Sequence, residues 1–332
     1  MIRRISSFSG RVALTALATS LAVPAFAQTT AADGAEEAPA DIVVIGSRRT
    51  DRTVADSPVP IDVISADQLA GGGTGDTNRM LNQLVPSFNF PQPSIADGTD
   101  ALRPASLRGL SPDQTLVLVN GKRRHVSALL NINGTVGRGS AAVDLNTIPS
   151  LAIERIEVLR DGASSQYGSD AIAGVINIQL RRADSGGRAT ASFGKYVTTL
   201  NGVANITGLQ TAAGSPFADP TDSRILAANA DGERTARDGD LWTYGFNVGL
   251  PIADGGFLNL TGEYRDRART NRAGYDLRPN YNRPTAAFDA RELTFDRLET
   301  IYGDAKTQDF NFFVNAGVPV GDFELYAFGS FA

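Results

Sequence analysis

Residues Ala152–Leu180 read AIERIEVLRDGASSQYGSDAIAGVINIQL, and this stretch decides the fold. It holds two short β runs, Ile153–Arg160 and Val175–Leu180, separated by a turn rich in Gly and Ser. Asp161-Gly162 ends the first run, and Tyr167 to Ala171 leads into the second. Ile176, Ile178 and Leu180 fall on one face of the second strand, and Asn177 and Gln179 on the other. Arg155, Glu157 and Arg160 put charge into the first. Strands mixing apolar residues with charge at period 2 are expected to pack on a core and also to meet a polar lining.

Upstream the same compact mixed pattern continues. Ser57 to Ile64 reads as a strand after a proline entry. Ser65 or Asp67 caps a short helix at Gln68 and Leu69. Gly71 to Thr77 is a loop, and no Lys follows its glycines, so it is no phosphate cradle. Asp76 or Thr77 caps a helix with Met80, Leu81, Leu84 and Val85 on one face, stopped by Pro86. Asn89–Asp100 and Asn131–Ser140 are loops. Thr115–Val119, Asn120-Gly121 and Lys122–Val126 read as strand, turn and return strand. Asp144–Ile148 leads through Pro149 into the opening stretch.

Composition narrows the class. Residues 1–27 read as a secretory signal peptide, with Arg3, Arg4 and Arg11 basic, Val12–Val23 apolar, and Ala25-Phe26-Ala27 a small-x-small cleavage site. The whole chain carries −5, and removing this segment makes it more acidic. Nucleic acid, which needs a basic face, is therefore not an expected partner. There is no cysteine and one histidine, His125, so thiolate and His-cluster metal sites are excluded. No metal, cofactor or catalytic constellation is expected, and His125 reads as a structural or surface residue. Gln28–Ala40, small and acidic, reads as a disordered linker. Ile42, Val43, Val44 and Ile45, then Gly46, form a β-prone run with nothing nearby to pair with. Such a segment on a tether is suited to adding as a strand to a partner's sheet.

After Gly186-Gly187 the pattern changes. Ala189, Ala191 and Phe193 alternate with Thr190, Ser192 and Gly194. Trp242 to Ile252, Leu258 to Arg265, Phe310 to Val318 and Phe323 to Phe331 do likewise. Tight turns at Ala253-Asp254-Gly255 and Val320-Gly321 contrast with long polar connections over 197–240 and 268–308. Apolar-out, polar-in strands with short turns on one side and long loops on the other predict a transmembrane β-barrel wall. A soluble β-sandwich is the other reading of the alternation. Five strands cannot close a barrel, so the chain is expected to be part of a longer protein.

The opening stretch resembles the end of the plug domain in TonB-dependent outer-membrane receptors, which reads approximately IERIEVLRGPxSxxYGxxAxGGVINI. Here Asp161-Gly162-Ala163 stands for the Gly-Pro step and Ala173-Gly174 for Gly-Gly. Leu107-Arg108-Gly109-Leu110 with Thr115 to Arg124 resembles the same domain, and Asp41–Ser47 resembles the TonB box. The resemblance implies an α+β plug followed by antiparallel barrel strands, about 22 when complete. It divides the chain into signal peptide 1–27, linker 28–40, TonB box 41–47, plug 48–182 and barrel strands 187–332. It implies no enzyme but a receptor that binds a scarce small extracellular ligand, siderophore-like or an oligosaccharide. Import is driven by TonB with ExbB and ExbD, from a monomeric barrel in outer-membrane lipid. Ile42 to Gly46 would bind TonB. Arg108, Arg155, Glu157 and Arg160 would form ion pairs between plug and barrel, and pairing inside the plug is the bland alternative for them. Two rivals remain: an exported soluble β-rich carbohydrate-active protein, and a non-functional truncated receptor.

Overall fold

The computed structural model describes residues 59–332 apart from 73–74, 93, 97, 133–134, 210–227, 279 and 282–288. The expected signal peptide, linker and box lie outside the described residues. The first part of the described chain is built on a five-stranded sheet. Its elements are β1 (Ile61–Ser65), helices α1 (Ala66–Gly71) and α2 (Thr77–Leu84), and the short pair β2 (Phe88–Asn89) and β3 (Ser106–Leu107). They continue with β4 (Thr115–Val119), β5 (Lys122–Arg123), β6 (Ile153–Leu159), the single turn α3 (Ser164–Tyr167) and β7 (Gly174–Leu180). Strand order is β1-β6-β7-β4-β5, antiparallel except for the parallel β4–β7 pair.

Local chemistry accounts for the helices and turns. The Ser65 hydroxyl accepts from the Gln68 amide while the Gln68 side chain accepts from the Ser65 amide, closing a capping box on α1. Asp76 caps α2 through the Asn78 amide. Met80 and Leu81 are buried, and Val85 is buried as the cap residue, but Leu84 faces out at 40 % exposure. Asn120 (φ 48°) and Gly121 (φ 74°) make the tight turn after β4, which needs positive φ at both central residues.

Both faces of this sheet are covered, which corrects the expectation of a polar lining beside β6 and β7. One face holds Val117, Val119, Ile156, Val158, Ile176 and Ile178 against α1, α2 and Phe88. The other holds Ile61, Leu116, Leu118, Leu159 and Val175. Asn177 and Glu157 belong to this second face and are fully buried, with Asn177 Nδ2 donating to Glu157 Oε2 at 2.9 Å. Their remaining oxygens accept from Arg155 Nε (Glu157, 2.9 Å) and the Gly121 amide (Asn177, 3.0 Å), so both are satisfied inside the core. The return strand is also shorter than expected, because β5 ends at Arg123, and the Arg124 side chain reaches Ser330 Oγ (2.7 Å) and Thr147 Oγ1 (3.3 Å) instead.

The second sheet is an open antiparallel meander, β12-β11-β10-β9-β8: β8 (Gly187–Leu209), β9 (Ala228–Ile252), β10 (Gly256–Arg267), β11 (Thr307–Val320) and β12 (Phe323–Phe331). The expected loop over 197–240 is mostly strand. β8 and β9 stay paired up to Leu209 and Ala228, with register shifts between Gly194 and Gly208. This upper ribbon carries Thr, Asn, Asp and Arg in no alternating order. Without an apolar face its period-2 signal vanishes from the sequence.

Candidate functional site

The five strands have two unlike faces. On β10, the odd positions Asn259, Thr261, Glu263, Arg265 and Arg267 are buried against the plug, as are Thr243 and Asn247 on β9 and Asn311 and Asn315 on β11. The even positions face away. Phe193, Trp242, Tyr244, Tyr264 and Phe310 form a row across four strands, neighbouring ring centres 4.5, 6.2, 6.5 and 4.6 Å apart. Below the row lie Phe246, Leu250, Phe312 and, on β12, Phe323, Leu325 and Phe331, all exposed.

The seam between plug and strands is polar. Asn247 Nδ2 donates to Asn259 Oδ1 (2.6 Å) and Thr261 Oγ1 (2.7 Å). Asn315 Nδ2 donates to the Arg181 carbonyl (2.8 Å), and Asn311 Nδ2 to the Asn146 carbonyl (3.1 Å). Arg265 bonds Glu263 Oε1 (2.5 Å) and the Asn146 side chain, whose Nδ2 donates to Asp309 Oδ2 (3.1 Å). Asp144 beside it accepts from the Arg103 and Asn146 amides, and burial pushes its carboxyl above the ordinary range. Arg182 pairs with Glu324 and lies over the Phe257 ring at 4.9 Å. Phe313, at 2 % exposure, is an apolar side chain that the wall inserts into the plug core.

One cluster gathers the most charge. Asp76 Oδ2 accepts from Arg103 Nε and from Arg267 Nη2, each at 3.0 Å, joining α2, the segment before β3 and β10. Asp304, near the end of the connection between β10 and β11, accepts from Arg79 Nη2 at 2.7 Å and from Gln92, and lies 3.5 Å from Arg103 Nη2. Arg103, Asp76 and Asp304 are almost completely buried. Three guanidiniums and two carboxylates in mutual contact satisfy the condition for burying charge, which is that each one is paired.

The four residues expected to bridge plug and barrel find their partners inside the plug. Arg108 (φ 56°) donates to the carbonyls of Ala173 (3.2 Å) and Ile172 (2.9 Å) and approaches Asp161 at 3.5 Å, pinning the loop of the opening stretch. Arg155 Nε bonds Glu157 Oε1 at 2.9 Å, and Arg160 Nε lies 3.1 Å from Asp62. For Arg155 and Glu157 these contacts have a geometric cause. β6 lies inside its sheet between β1 and β7, so its charged side chains meet residues of those strands or their own neighbours first. Seam residues that sequence reasoning passed over are Arg79, Arg103, Arg267 and Asp304. Arg267 extends the alternation of β10 and was within reach of that pattern. His125 is exposed, and Arg124 beside it holds its imidazole below the ordinary value.

The long connection, 268–306, closes on itself. Thr270 N donates to the Asp304 carbonyl (3.1 Å), Arg272 N to that of Tyr302 (2.7 Å) and Asp276 N to that of Arg297 (2.8 Å). Arg272 Nη1 bonds both oxygens of Asp238 on the ribbon at 2.8 Å. Burial by itself pushes the Glu292 carboxyl up, but the Tyr281 and Asn280 amides and the Arg297 guanidinium outweigh it and hold it below its ordinary value. Arg278 holds Asp276 at about 2. Both carboxylates are depressed in the folded state. Their contribution is therefore present above the ordinary carboxylate range and is lost as pH falls through the folded values. The connection should stay ordered from neutral pH to about pH 4 and loosen toward about pH 2. A nitroxide on a cysteine replacing Glu299 reads this, and an unchanged line shape down to about pH 2 would refute it.

Residues 53–175 match the TonB-dependent Receptor Plug Domain. The chain is 31% identical over 124 residues to the ferric enterobactin receptor of Pseudomonas aeruginosa, covering 37% of this chain and 16% of that one. Among solved structures, it is similar to a variant of the ferric enterobactin receptor from Pseudomonas aeruginosa in complex with enterobactin (18% identity, 82% of this chain, 33% of that one, TM-score 0.47). It is also similar to the siderophore receptor PirA from Acinetobacter baumannii (20% identity, 79% and 29%, TM-score 0.44). The chain thus spans about a sixth of the curated relative and about a third of these structures.

Proposed function

We propose that this protein is an outer-membrane receptor importing a scarce siderophore-like ligand into the periplasm with energy passed from TonB, itself driven through ExbB and ExbD. The observation that carries the reading is the polar seam. A plug that must shift within its wall without melting needs an interface whose contacts water can replace one by one, and asparagines, arginines and carboxylates make such an interface. The curated relative, a ferric enterobactin receptor, favours an iron chelate over an oligosaccharide.

The outer face supports the membrane setting and disfavours a soluble exported protein. The apolar stretch of β9 runs from Trp242 to Ile252, close to the roughly 9–11 residues that a tilted strand needs to cross a bilayer. An aromatic row at one end is the mark of a membrane interface. The tight turns at Ala253–Gly255 and Gly321 then face the periplasm, and the ribbon and the 268–306 connection stand outside. An open sheet cannot keep bare edges in hydrocarbon, so β8 and β12 would be joined by further strands of a closed, monomeric barrel.

Ile42 to Gly46 would pair with TonB as an added strand after cleavage at Ala27. In the whole receptor, Val43→Pro should abolish uptake of a ferric catecholate and leave its binding to cells unchanged, because proline removes a ladder donor. Uptake at the unaltered rate in that variant would sink the assignment.

A further inference from the structure

We propose that Asp304 is a positioning residue that makes plug helix α2 and the base of the 268–306 connection a single opening unit. The connection is held at two places that differ in kind. On the ribbon side, Arg272 grips Asp238 in a partly buried pair. On the plug side, Asp304 is inserted among plug donors, at 4 % exposure, with Arg79 of α2, Arg103 and Gln92 around its carboxylate. Its backbone is fixed as well, its amide donating to Thr270 Oγ1 at 2.8 Å and its carbonyl accepting from the Thr270 amide at 3.1 Å. One residue therefore belongs to both bodies. Its main chain closes the base of the connection, and its side chain is a ligand of the plug.

The plug side of the contact is equally committed. Arg79 lies on the first turn of α2, whose N-cap Asp76 takes Arg103 and Arg267 on the same oxygen. Tyr196 of β8 completes the arrangement, with the Arg79 guanidinium 5.7 Å from its ring centre and that of Arg272 5.6 Å from it. Withdrawing Asp304 leaves three arginines facing Asp76 alone, an excess of buried positive charge that only movement of α2 or of the 90–103 segment relieves. Opening the base of the connection and loosening the start of α2 are consequently the same event. The proposal uses the import reading only for its consequence: whatever displaces the connection from outside is felt at α2. The linkage itself is measurable with no ligand present.

The test is amide hydrogen exchange on the whole membrane-inserted receptor, ligand-free, following the Thr270 and Arg272 amides and the Met80 amide of α2. Asp304→Asn should speed exchange at both places together, on the order of a hundredfold, as for loss of one partner of a buried charge pair. Asp304→Glu should restore both. Arg272→Gln, which cuts only the ribbon-side grip, should speed exchange at the Arg272 amide alone and leave Thr270 and Met80 both unchanged. A purely structural role would make Arg272→Gln and Asp304→Asn act alike. If Asp304→Asn does not reach the membrane folded, Gln92→Ala with Arg79→Gln removes two of its three plug contacts from the other side and should speed exchange at both places in the same direction. In Asp304→Asn, exchange at Met80 unchanged while the Thr270 amide speeds up overturns the proposal, and so does no change at either place. The Val43→Pro uptake test fails or succeeds independently of these rates.

Discussion

Gly174→Ala should destabilise the plug by about 2–6 kcal/mol, a large share of a domain's stability. Gly174 opens β7 at φ +146°, a conformation that side chains rarely adopt, and a Cβ there would come within 2.7 Å of Leu107 Cδ1 and still closer to the Leu159 carbonyl oxygen. Leu107 is fully buried, and Leu159 is in the neighbouring strand β6, so neither yields cheaply. Backbone strain of about 1–3 kcal/mol adds to overpacking of about 1–3 kcal/mol, against a total domain stability of about 5–15 kcal/mol. Circular dichroism and urea unfolding of residues 48–182 expressed alone would show the result. A cooperative transition close to that of the unaltered plug would mean that the close approach is relieved by some path the packing does not suggest. The same position explains why the motif ends in Gly: Ala173 before it is buried yet tolerates its methyl group.

Arg155→Ala is expected to cost about 3 kcal/mol, several times the cost of Arg160→Ala. The two arginines look equivalent in the sequence and are not. Arg155 is bonded to Glu157, whose side chain is fully buried on the inner layer of the sheet with Asn177 as its other partner. Removing the arginine leaves a carboxylate in the core with one neutral donor. Arg160 pairs with Asp62 where both side chains remain about a third exposed, and water takes over when it goes, at about 0–1 kcal/mol. Urea midpoints of the two variants with unchanged slopes decide the matter. Equal shifts would show that the burial of Glu157 does not control its cost.

Much of the plug was legible because its signals are local. Ser65 and Asp76 cap helices, Asn120-Gly121 turns a strand, and the two runs of the opening stretch are the central strands. The wall below the aromatic row was legible from alternation, since lipid-like and polar surroundings alternate there residue by residue. Two things were not. The upper ribbon of β8 and β9 is strand without an apolar face, so nothing in its order of residues marks it. The charge clusters of the seam join residues far apart, Arg79 with Asp304 and Arg103 with Asp76, and no spacing encodes such pairs. The expectation that Arg108 and Arg160 cross the seam rests on family resemblance alone, and their contacts here with Ala173, Ile172 and Asp62 carry no spacing signal either.

The chain has a single tryptophan, and it is Trp242, in the outward aromatic row and far from the plug core. Indole emission from this protein therefore originates at one level of one surface. The plug, whose described aromatic residues are phenylalanines and Tyr167, contributes no indole signal of its own. Optically the molecule is divided along the seam: the wall is luminous and the plug dark. A blue shift on transfer into lipid would report the burial of the row without interference from whatever the plug is doing. Plug unfolding would have to be followed by other light, and the two halves can thus be watched separately in one unlabelled protein.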